Sequence, residues 1–177
     1  RPPDAEGRGR VSIRDLVWHS LRMRPDRIIV GECRGGEAFD MLQAMSTGHD
    51  GSLSTLHANS ARDCVARLET LVLMAGLDLP IRAIRQQISS AVDVIVQISR
   101  LRDGSRRVTS ITELVRMEGE TVTMQDIFVL EIKGTDPDGR LQAALRSTGV
   151  RSRIVDRLHD LGLPVPAALA KVFPSRR

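Results

Sequence analysis

Apolar residues recur at two different spacings along the first hundred residues, and these spacings predict alternating strands and helices. The strand-like apolar runs are residues 27–32, 52–57 and 92–98. The stretches with apolar residues three or four apart are residues 12–24, 39–48, 60–76 and 80–91. An order of strand, helix, strand, helix, helix and strand, with connections long enough for parallel crossovers, predicts an α/β core. In the first helix, a partly buried face is expected to contain Leu16, Val17, Leu21 and Met23.

The first run, with the sequence RIIVGECR over residues 27–34, ends in an acidic residue and a flexible turn. Its apolar residues predict a strand buried on both faces of a parallel sheet. Open α/β sheets place their ligand chemistry beyond the carboxyl ends of such strands, which is where Glu32 lies. Glu32 could orient or deprotonate a water molecule beside a bound triphosphate, or hold Mg²⁺ through water. It could equally be a structural carboxylate paired with Arg34 or Arg27.

Two histidines flank the second run: His49 precedes it and His57 falls near its C-terminal end. If the first two strands are neighbours, His57 lies at the same sheet edge as Glu32. A histidine there could donate a hydrogen bond to a γ-phosphate. The alternative is a pair of ordinary turn or interface histidines. Zinc is a weaker interpretation, because no third ligand occurs at a recognisable spacing.

The second half of the chain has a different pattern. Two β-rich runs at residues 107–117 and 121–132 surround Glu118-Gly119-Glu120, which predicts a β-hairpin. After it come a turn, a short apolar run, a basic helix and a Pro/Ala-rich end that is expected to fray. The predicted domains are residues 1–100 for the core, 101–162 for a hairpin and short-helix appendage, and 163–177 for the tail.

Composition narrows the possible functions. The chain is 41% hydrophobic and 27% charged, which is ordinary for a globular protein, but only 2% aromatic. Proteins that bind single-stranded nucleic acid without sequence preference stack the bases on aromatic side chains, and this sequence offers few such side chains. Residues 140–177 carry eight basic and two acidic residues. Such an end can meet nucleic acid or anionic lipid, although solvated surface charge is the commoner explanation.

The two cysteines, Cys33 and Cys64, lack CxxC spacing and have no neighbouring histidine at a metal-ligand spacing. This pattern indicates reduced, buried thiols rather than a disulfide or a metal site.

Two segments read together closely resemble one family. RPDRIIVGECRGGEA at residues 24–38 is similar to the Walker B box of the secretion ATPase superfamily, and TGHDGSLSTLHANS at residues 47–60 is similar to its His box. These proteins are the hexameric motors of type II and type IV secretion and of type IV pili. The best match is the CpaF-type ATPase of tight-adherence (Flp) pilus assembly, supported by LETLVLMAG at residues 68–76 and SRLRDGSRRVT at residues 99–109. The resemblance runs from the first residue to about residue 160.

The resemblance implies a role for four residues. Glu32 matches the Walker B glutamate, which activates water near a Mg²⁺ ion that it holds through water. His57 matches the second His-box histidine, a sensor of the γ-phosphate. His49 matches the first, which acts at the site or at a subunit contact, and Arg34 follows the glutamate as a phosphate contact.

The resemblance is incomplete on its N-terminal side. Arg8 and Arg10 follow the place where the family's Asp box would end; they are weak candidates for phosphate contacts, and solvated loop arginines are the favoured interpretation. A P-loop has the pattern GxxxxGK[ST], and neither lysine of this sequence, Lys133 or Lys171, lies in it. The expected fold is therefore a RecA-like P-loop NTPase core lacking its N-terminal phosphate-binding part, with a C-terminal β-hairpin and helical appendage.

The resemblance also implies a function and partners. ATP and Mg²⁺ would be the cofactors, and hydrolysis in a hexameric ring would drive pilus assembly or protein export together with inner-membrane platform proteins. The location would be cytoplasmic and peripheral at the inner face of the bacterial cytoplasmic membrane, with no nucleic acid bound. This chain alone is not expected to hydrolyse ATP, because nothing anchors a triphosphate. The alternatives are a catalytically inactive interaction module of such a ring and a nucleic-acid translocase relative.

Overall fold

The computed structural model describes Pro2, Asp4 and residues 8–173 of the 177-residue chain, and these form a mixed α/β protein. The helices are α1 (Ile13–Leu21), α2 (Glu37–Ser46), α3 (Ala61–Leu73), α4 (Ile81–Ala91), α5 (Arg153–Asp160) and α6 (Ala167–Val172). The strands are β1 (Ile29–Val30), β2 (Leu53–Ser54), β3 (Val94–Arg100), β4 (Arg106–Glu118), β5 (Thr121–Thr135) and β6 (Leu141–Ser147). Each element except α6 lies where the sequence pattern predicts one.

Two serines begin helices of the core, as their positions in the sequence predict. The Ser12 hydroxyl accepts the backbone N–H of Asp15 at 3.1 Å, and the Asp15 carboxylate accepts the N–H of Ser12 at 2.8 Å. This reciprocal pair is a capping box at the start of α1. The Ser60 hydroxyl accepts the N–H of Asp63 at 3.1 Å and caps α3.

The chain divides into two compact units. The first contains residues 1–93 together with the hairpin tip at 116–122, and the second contains residues 94–115 and 123–177. In the first unit, α2 packs against α1, α3 and α4. The most deeply buried large side chains are Leu42, Leu68, Leu71, Val72, Ile84 and Ile88. The domain boundaries that the sequence pattern places at residues 100 and 162 stay predictions.

The strands of the first unit form a short parallel pair. Ile29 lies opposite Leu53, and Val30 lies opposite Ser54. The prediction that the first strand is buried on both faces is wrong: Val30 is buried, whereas Ile29 is 72% exposed and its partner Leu53 is 60% exposed. Side chains directly opposite each other share one sheet face, so one face of this pair is open among the described residues.

The expected burial in α1 is also partly wrong. Val17 is buried, but Leu16 and Met23 are exposed. Leu16 lines an open groove between α1 and β1 together with Ile13 and Ile29. The groove and the open sheet face together leave an apolar surface on the first unit.

The second sheet has the strand order β3-β4-β5-β6. The prediction that residues 92–98 continue the parallel sheet is wrong, because β3 pairs antiparallel with β4, with Val94 opposite Glu113 and Arg100 opposite Arg106. The physical reason is local: the turn between β3 and β4 contains Gly104 at φ 80°, and it returns the chain directly alongside β3. The predicted hairpin of β4 and β5 is present, with Gly119 at φ 61° in its two-residue loop.

Helix α5 is tied to the second sheet through a buried carboxylate. Glu113 of β4 accepts hydrogen bonds from the Ser152 hydroxyl and, at 3.0 Å, from the backbone N–H of Arg153. Ser152 is the residue before α5 and is itself buried. A second cluster joins Ile127, Val155 and Phe173, which brings the end of α6 into the core of this unit.

Both cysteines are free and buried, as predicted. Burial raises the pKa of the Cys33 thiol to about 12 and that of the Cys64 thiol to about 11. Since the thiolate is the reactive form, both thiols are chemically inert near neutral pH.

No helix in the part of the chain that the structure describes is long and apolar enough to cross a membrane.

Gly36 lies close to the backbone of Ala75, and we predict that Gly36→Ala destabilises the protein. A Cβ atom at residue 36 would lie 2.7 Å from the Cα atom of Ala75, so the α3–α4 connection would have to move. We expect a loss of about 1–3 kcal/mol in the free energy of unfolding, measured by urea denaturation. Gly31→Ala is the control, because a Cβ atom there has no neighbour within 4 Å. Equal effects of the two substitutions would contradict this explanation.

Asp103 gives the second unit a pH-dependent contribution to stability. Hydrogen bonds from the Ser105 hydroxyl and from the backbone N–H of Leu141 lower the pKa of Asp103 from 3.8 to about 2. A carboxyl whose pKa is lower in the folded state stabilises the fold above its unfolded-state pKa, and loses that effect as pH falls through its folded-state pKa. We therefore expect Asp103→Asn to be less stable than the original protein at pH 7, with the difference shrinking between pH about 4 and about 2.

Urea unfolding at several pH values checks this prediction. Asp138→Asn, at an exposed position in the β5–β6 turn, controls for the loss of one negative charge. A stability difference for Asp103→Asn that stays constant down to pH about 2 would show that the carboxylate charge is not responsible.

Candidate functional site

The parallel pairing of β1 and β2 brings the two predicted motifs to one sheet edge. Beyond the strands, the Cys33 N–H donates to the Thr55 carbonyl at 2.8 Å, and the Thr55 hydroxyl donates to the Gly31 carbonyl at 2.6 Å. These bonds continue the pairing past Val30 and fix the two chain segments that carry Glu32 and His57. The two strands are therefore neighbours, which is the condition under which Glu32 and His57 lie at one sheet edge.

Glu32 is held by two cationic or potentially cationic side chains, one on each carboxylate oxygen. His57 Nε2 lies 3.0 Å from Oε1, and an Arg34 guanidinium nitrogen contacts Oε2. The Glu32 side chain is only 25% exposed, whereas those of Arg34 and His57 are 73% and 92% exposed. The carboxylate is therefore partly buried, whereas the two side chains that contact it extend into solvent.

This arrangement favours the ionised carboxylate. The hydrogen bond from Arg34 is the main cause that lowers the pKa of Glu32; partial burial opposes it, and the charges of Arg34 and His57 add to the lowering. The same contact raises the pKa of Arg34. Glu32 thus remains a hydrogen-bond acceptor at neutral pH, as a residue that orients or deprotonates water must be.

The turn that follows Glu32 is shaped by Glu37. The Glu37 carboxylate accepts the backbone N–H groups of Arg34 at 2.7 Å and Gly35 at 3.0 Å, which folds the turn against the first residue of α2. Sequence reasoning did not single out Glu37. Its signal was an acidic residue in the first turn of a helix, where exposed N–H groups favour negative charge.

The other predicted site residues, Arg8, Arg10 and His49, lie in three different surroundings. Arg10 lines a cleft together with Arg34, whereas Arg8 lies 3.6 Å from the Asp4 carboxylate. His49 lies before β2, where its Nδ1 atom hydrogen bonds to the Ala44 carbonyl at 3.2 Å. Because β1 and β2 are parallel, His49 is at the opposite end of the strand pair from Glu32.

The surroundings of Glu32 fit a magnesium contact made through water. Mg²⁺ is normally held by one or two carboxylates, substrate phosphates and water. Within the described residues, no group of three or more His, Cys, Asp and Glu side chains could hold a metal. With both oxygens of Glu32 engaged, the donor set fits contact through water better than direct coordination.

The pKa of Glu32 gives a direct test of this geometry. Since the hydrogen bond from Arg34 is the main cause of the lowered pKa, Arg34→Gln should raise the pKa of Glu32 toward 4.5, its ordinary value. The measurement is the pH titration of the Glu32 carboxyl carbon by NMR. Arg62→Gln, on the exposed side of α3, is the control, because it removes the same charge at another position. The same titration midpoint in both variants would rule out the proposed contact.

Several known proteins are similar to this chain in sequence, and a family model covers most of it. A family model described as "Type II/IV secretion system protein" matches residues 4–148. A Mycobacterium tuberculosis (strain H37Rv) protein described as a "Putative conjugal transfer protein" is 45% identical over 119 residues, which are 67% of this chain and 33% of that protein. The type IV secretion system protein PtlH of Bordetella pertussis is 44% identical over 107 residues, which are 58% of this chain and 31% of that protein.

A solved structure shows the same fold. The VirB11 ATPase from the Brucella suis type IV secretion system, in complex with sulphate, matches with a TM-score of 0.54 and 36% identity over 57% of this chain and 31% of that chain. The predicted α/β fold class is thereby confirmed. The chain spans about a third of the length of these relatives. Because the family match covers residues 4–148 and contains both the Glu32 and the His57 segments, the chain belongs to the type II/IV secretion system protein family.

Proposed function

We propose that this chain forms the water-activating part of a secretion motor ATPase, in which Glu32 acts as the Walker B glutamate and His57 as the sensor of the γ-phosphate. The observation that carries the proposal is the placement of Glu32 between His57 and Arg34 at the carboxyl end of a parallel strand pair. Ligand chemistry in open α/β sheets occurs at this end of the strands.

The three side chains have complementary chemistry for phosphoryl transfer to water. The ionised Glu32 carboxylate can accept a hydrogen bond or a proton from the attacking water. Arg34 and His57 are donors that extend into solvent, and donors positioned toward developing negative charge supply much of the catalysis in such sites. In the structure both donors contact Glu32 itself, so a phosphate group would have to draw at least one of them away.

ATP and Mg²⁺ are the cofactors of the proposed function. A bound metal ion neutralises the charge that develops on the transferred phosphate. Glu32 would hold it through water, and Arg34 and His57 would donate to phosphate oxygens. The sequence contains no P-loop, so the phosphates would have to be cradled by polypeptide other than these 177 residues.

The open face of the strand pair supports this view. Parallel sheets are almost always covered on both faces, yet Ile29 and Leu53 are exposed side by side. The groove between β1 and α1, lined by Ile13 and Leu16, is equally apolar and open. A phosphate-binding half of the core that packs on these surfaces would bury them.

At the level of the whole assembly, we propose a subunit of a hexameric ring that drives pilus assembly or protein export. The flanking sequence at residues 68–76 and 99–109 favours the CpaF type of tight-adherence (Flp) pili, whereas relatives named for conjugal transfer and type IV secretion favour the wider family. Inner-membrane platform proteins would be the partners, at the cytoplasmic face of the membrane. No nucleic acid is expected to bind.

A catalytically silent interaction module is the second candidate, and the lack of a P-loop in the sequence favours it. Mixing this chain with a complete homologous ATPase discriminates between the two. Co-assembly that leaves the partner's turnover per complete subunit unchanged supports the silent module.

The role of Glu32 is best tested in a full-length homologue, at the aligned residue. Glu32→Gln removes the basic carboxylate but keeps the shape of the side chain, so we expect nucleotide affinity to be largely retained and ATP hydrolysis to fall by about 100-fold or more. Nucleotide affinity is measured by fluorescence and hydrolysis by phosphate release. The matched control replaces a different glutamate by Gln: the homologue's counterpart of Glu131, which is an exposed residue of β5. Unchanged turnover in the Glu32 variant would disprove the assigned role.

A further inference from the structure

Four arginines lie around the turn between β3 and β4, at one end of the second sheet. Residues 100–107 contain these arginines and a single acidic residue, Asp103. Arg100, the last residue of β3, lies directly opposite Arg106, the first residue of β4. Side chains in this position share one sheet face, and like charges directly opposite each other destabilise a sheet. The fold therefore keeps this arginine pair, Arg100 and Arg106, despite a cost in stability.

The arginine pair is exposed and is not neutralised within the part of the chain that the structure describes. Both residues are exposed, and no described residue forms an ion pair with either guanidinium group. A Cβ atom on Gly104 would lie 4.0 Å from an Nη atom of Arg100, so that guanidinium group lies beside the turn. The donors of both side chains are therefore available to a ligand from solvent.

The acidic residue of the turn is engaged with other donors. The Asp103 carboxylate accepts hydrogen bonds from the Ser105 hydroxyl at 2.6 Å, from the Ser105 N–H at 3.0 Å and from the Leu141 N–H at 2.9 Å. The neighbouring segment at residues 133–140 contains two acidic and two basic residues, so it adds no net charge. The surroundings therefore leave the turn positive.

The other two arginines fix the turn to the neighbouring strands. Arg102 donates to the Thr135 hydroxyl at 3.0 Å. Arg107 donates to the backbone carbonyls of Leu141 at 3.1 Å and of Ala143 at 3.3 Å. The arginine pair is therefore held on an ordered turn, which lowers the entropy that binding a ligand would cost.

Apolar side chains continue the sheet face on which the arginine pair lies. Alternate residues of a strand lie on one face, so Val96 and Ile98 share the face of Arg100. Their side chains are 51% and 60% exposed, and Ile98 lies opposite Val108. This surface, formed by Val96, Ile98 and the arginine pair, has an apolar centre and charged donors at its edge. Protein–protein interfaces have the same arrangement and are enriched in arginine.

We propose that this surface docks an acidic segment of another protein, whose carboxylates bind the arginine pair. A guanidinium group binds a carboxylate through two parallel hydrogen bonds. A segment that carries an apolar side chain between its acidic residues also covers Ile98, which would bury apolar area in the same contact. The docking surface goes beyond the proposed hydrolytic function, because it uses neither Glu32 nor His57.

The composition of the surface favours a protein segment over other anionic partners. The phosphates of a nucleic acid would contact the arginine pair, but they would leave Val96 and Ile98 in water. Membrane surfaces are bound by amphipathic helices that insert Trp, Phe or Leu, whereas the exposed apolar residues here are β-branched and lie on a sheet. An acidic and apolar peptide matches both parts of the surface.

The experiment titrates the 177-residue chain with a synthetic peptide of glutamate residues interrupted by leucines. Binding is followed by NMR at the backbone N–H of Gly104 and at the Nε–H groups of the arginine pair, and saturable shifts are expected at all three. The same peptide with glutamine in place of glutamate should bind about tenfold more weakly or worse, because the charge-assisted hydrogen bonds are lost. Polyglutamate, which has no apolar side chain, should also bind more weakly than the glutamate–leucine peptide.

Two variants separate the contributions of charge and apolar contact. Arg100→Gln/Arg106→Gln should weaken binding by about tenfold or more. It should be no less stable in urea than the original chain, because directly opposed like charges are removed. Ile98→Thr, which keeps a β-branched side chain, should weaken binding of the glutamate–leucine peptide by about threefold and leave polyglutamate unaffected.

Arg62→Gln/Arg67→Gln on α3 is the matched control, because it removes the same charge from exposed positions of the first unit. It should leave the affinity unchanged within about twofold. Equal weakening by this control would overturn the proposal, as would the absence of saturable shifts at Gly104 or equal affinity for the glutamine peptide. Loss of stability in Arg100→Gln/Arg106→Gln would show that the pair supports the fold, which also contradicts the proposal.

Two further titrations test the alternative partners at the same concentration of negative charge. Tighter binding of a DNA duplex or of phosphatidylglycerol vesicles than of the glutamate–leucine peptide would overturn the proposal in favour of that partner. None of these measurements involves ATP hydrolysis, so failure of the docking proposal is distinguishable from failure of the role assigned to Glu32.

Discussion

The parallel contact between β1 and β2 is the interaction on which the candidate site depends. Only two residue pairs form the ladder, Ile29 with Leu53 and Val30 with Ser54. Hydrogen bonds on both sides lengthen it: the Leu53 N–H donates to Ile28 at 3.0 Å, and the Cys33 N–H donates to Thr55 at 2.8 Å. Because parallel strands end at the same edge, this contact brings together a glutamate and a histidine that lie 25 positions apart in the sequence.

The helices of the first unit anchor the turn that carries the candidate site. Helix α2 follows the Glu32 turn directly and packs against three other helices, with Leu42 fully buried at its centre. Gly36 and Glu37 connect that core to the turn, one by allowing a close backbone approach and the other by binding two N–H groups. The turn that carries Arg34 is thus fixed against the helical core, which suits a group that must contact a ligand with defined geometry.

The second unit shows a different way to organise a small sheet. Its strands follow one another in sequence order through short turns. The buried Glu113 joins α5 to β4 by accepting hydrogen bonds at the start of that helix. Asp103 plays a similar part at the β3–β4 turn, where it binds the N–H of Leu141 from β6 at 2.9 Å. Carboxylates that satisfy backbone donors therefore recur in both units.

The sequence by itself determined the features that depend on neighbouring residues. Ser12 and Ser60 mark helix starts because capping is a contact over three residues, and the Gly119 loop marks the hairpin because two residues suffice to reverse the chain. The resemblance of residues 24–38 and 47–60 to a Walker B box and a His box also directed attention to Glu32 and His57, because it rests on residue types at a specific spacing. The tertiary structure alone decided three further features: the antiparallel pairing of β3, the open face at Ile29, and the joint lining of one cleft by Arg10 and Arg34. The open face and the shared cleft depend on which distant segments pack alongside, and the pairing of β3 depends on the turn at Gly104; periodicity within one segment carries no information about its partner.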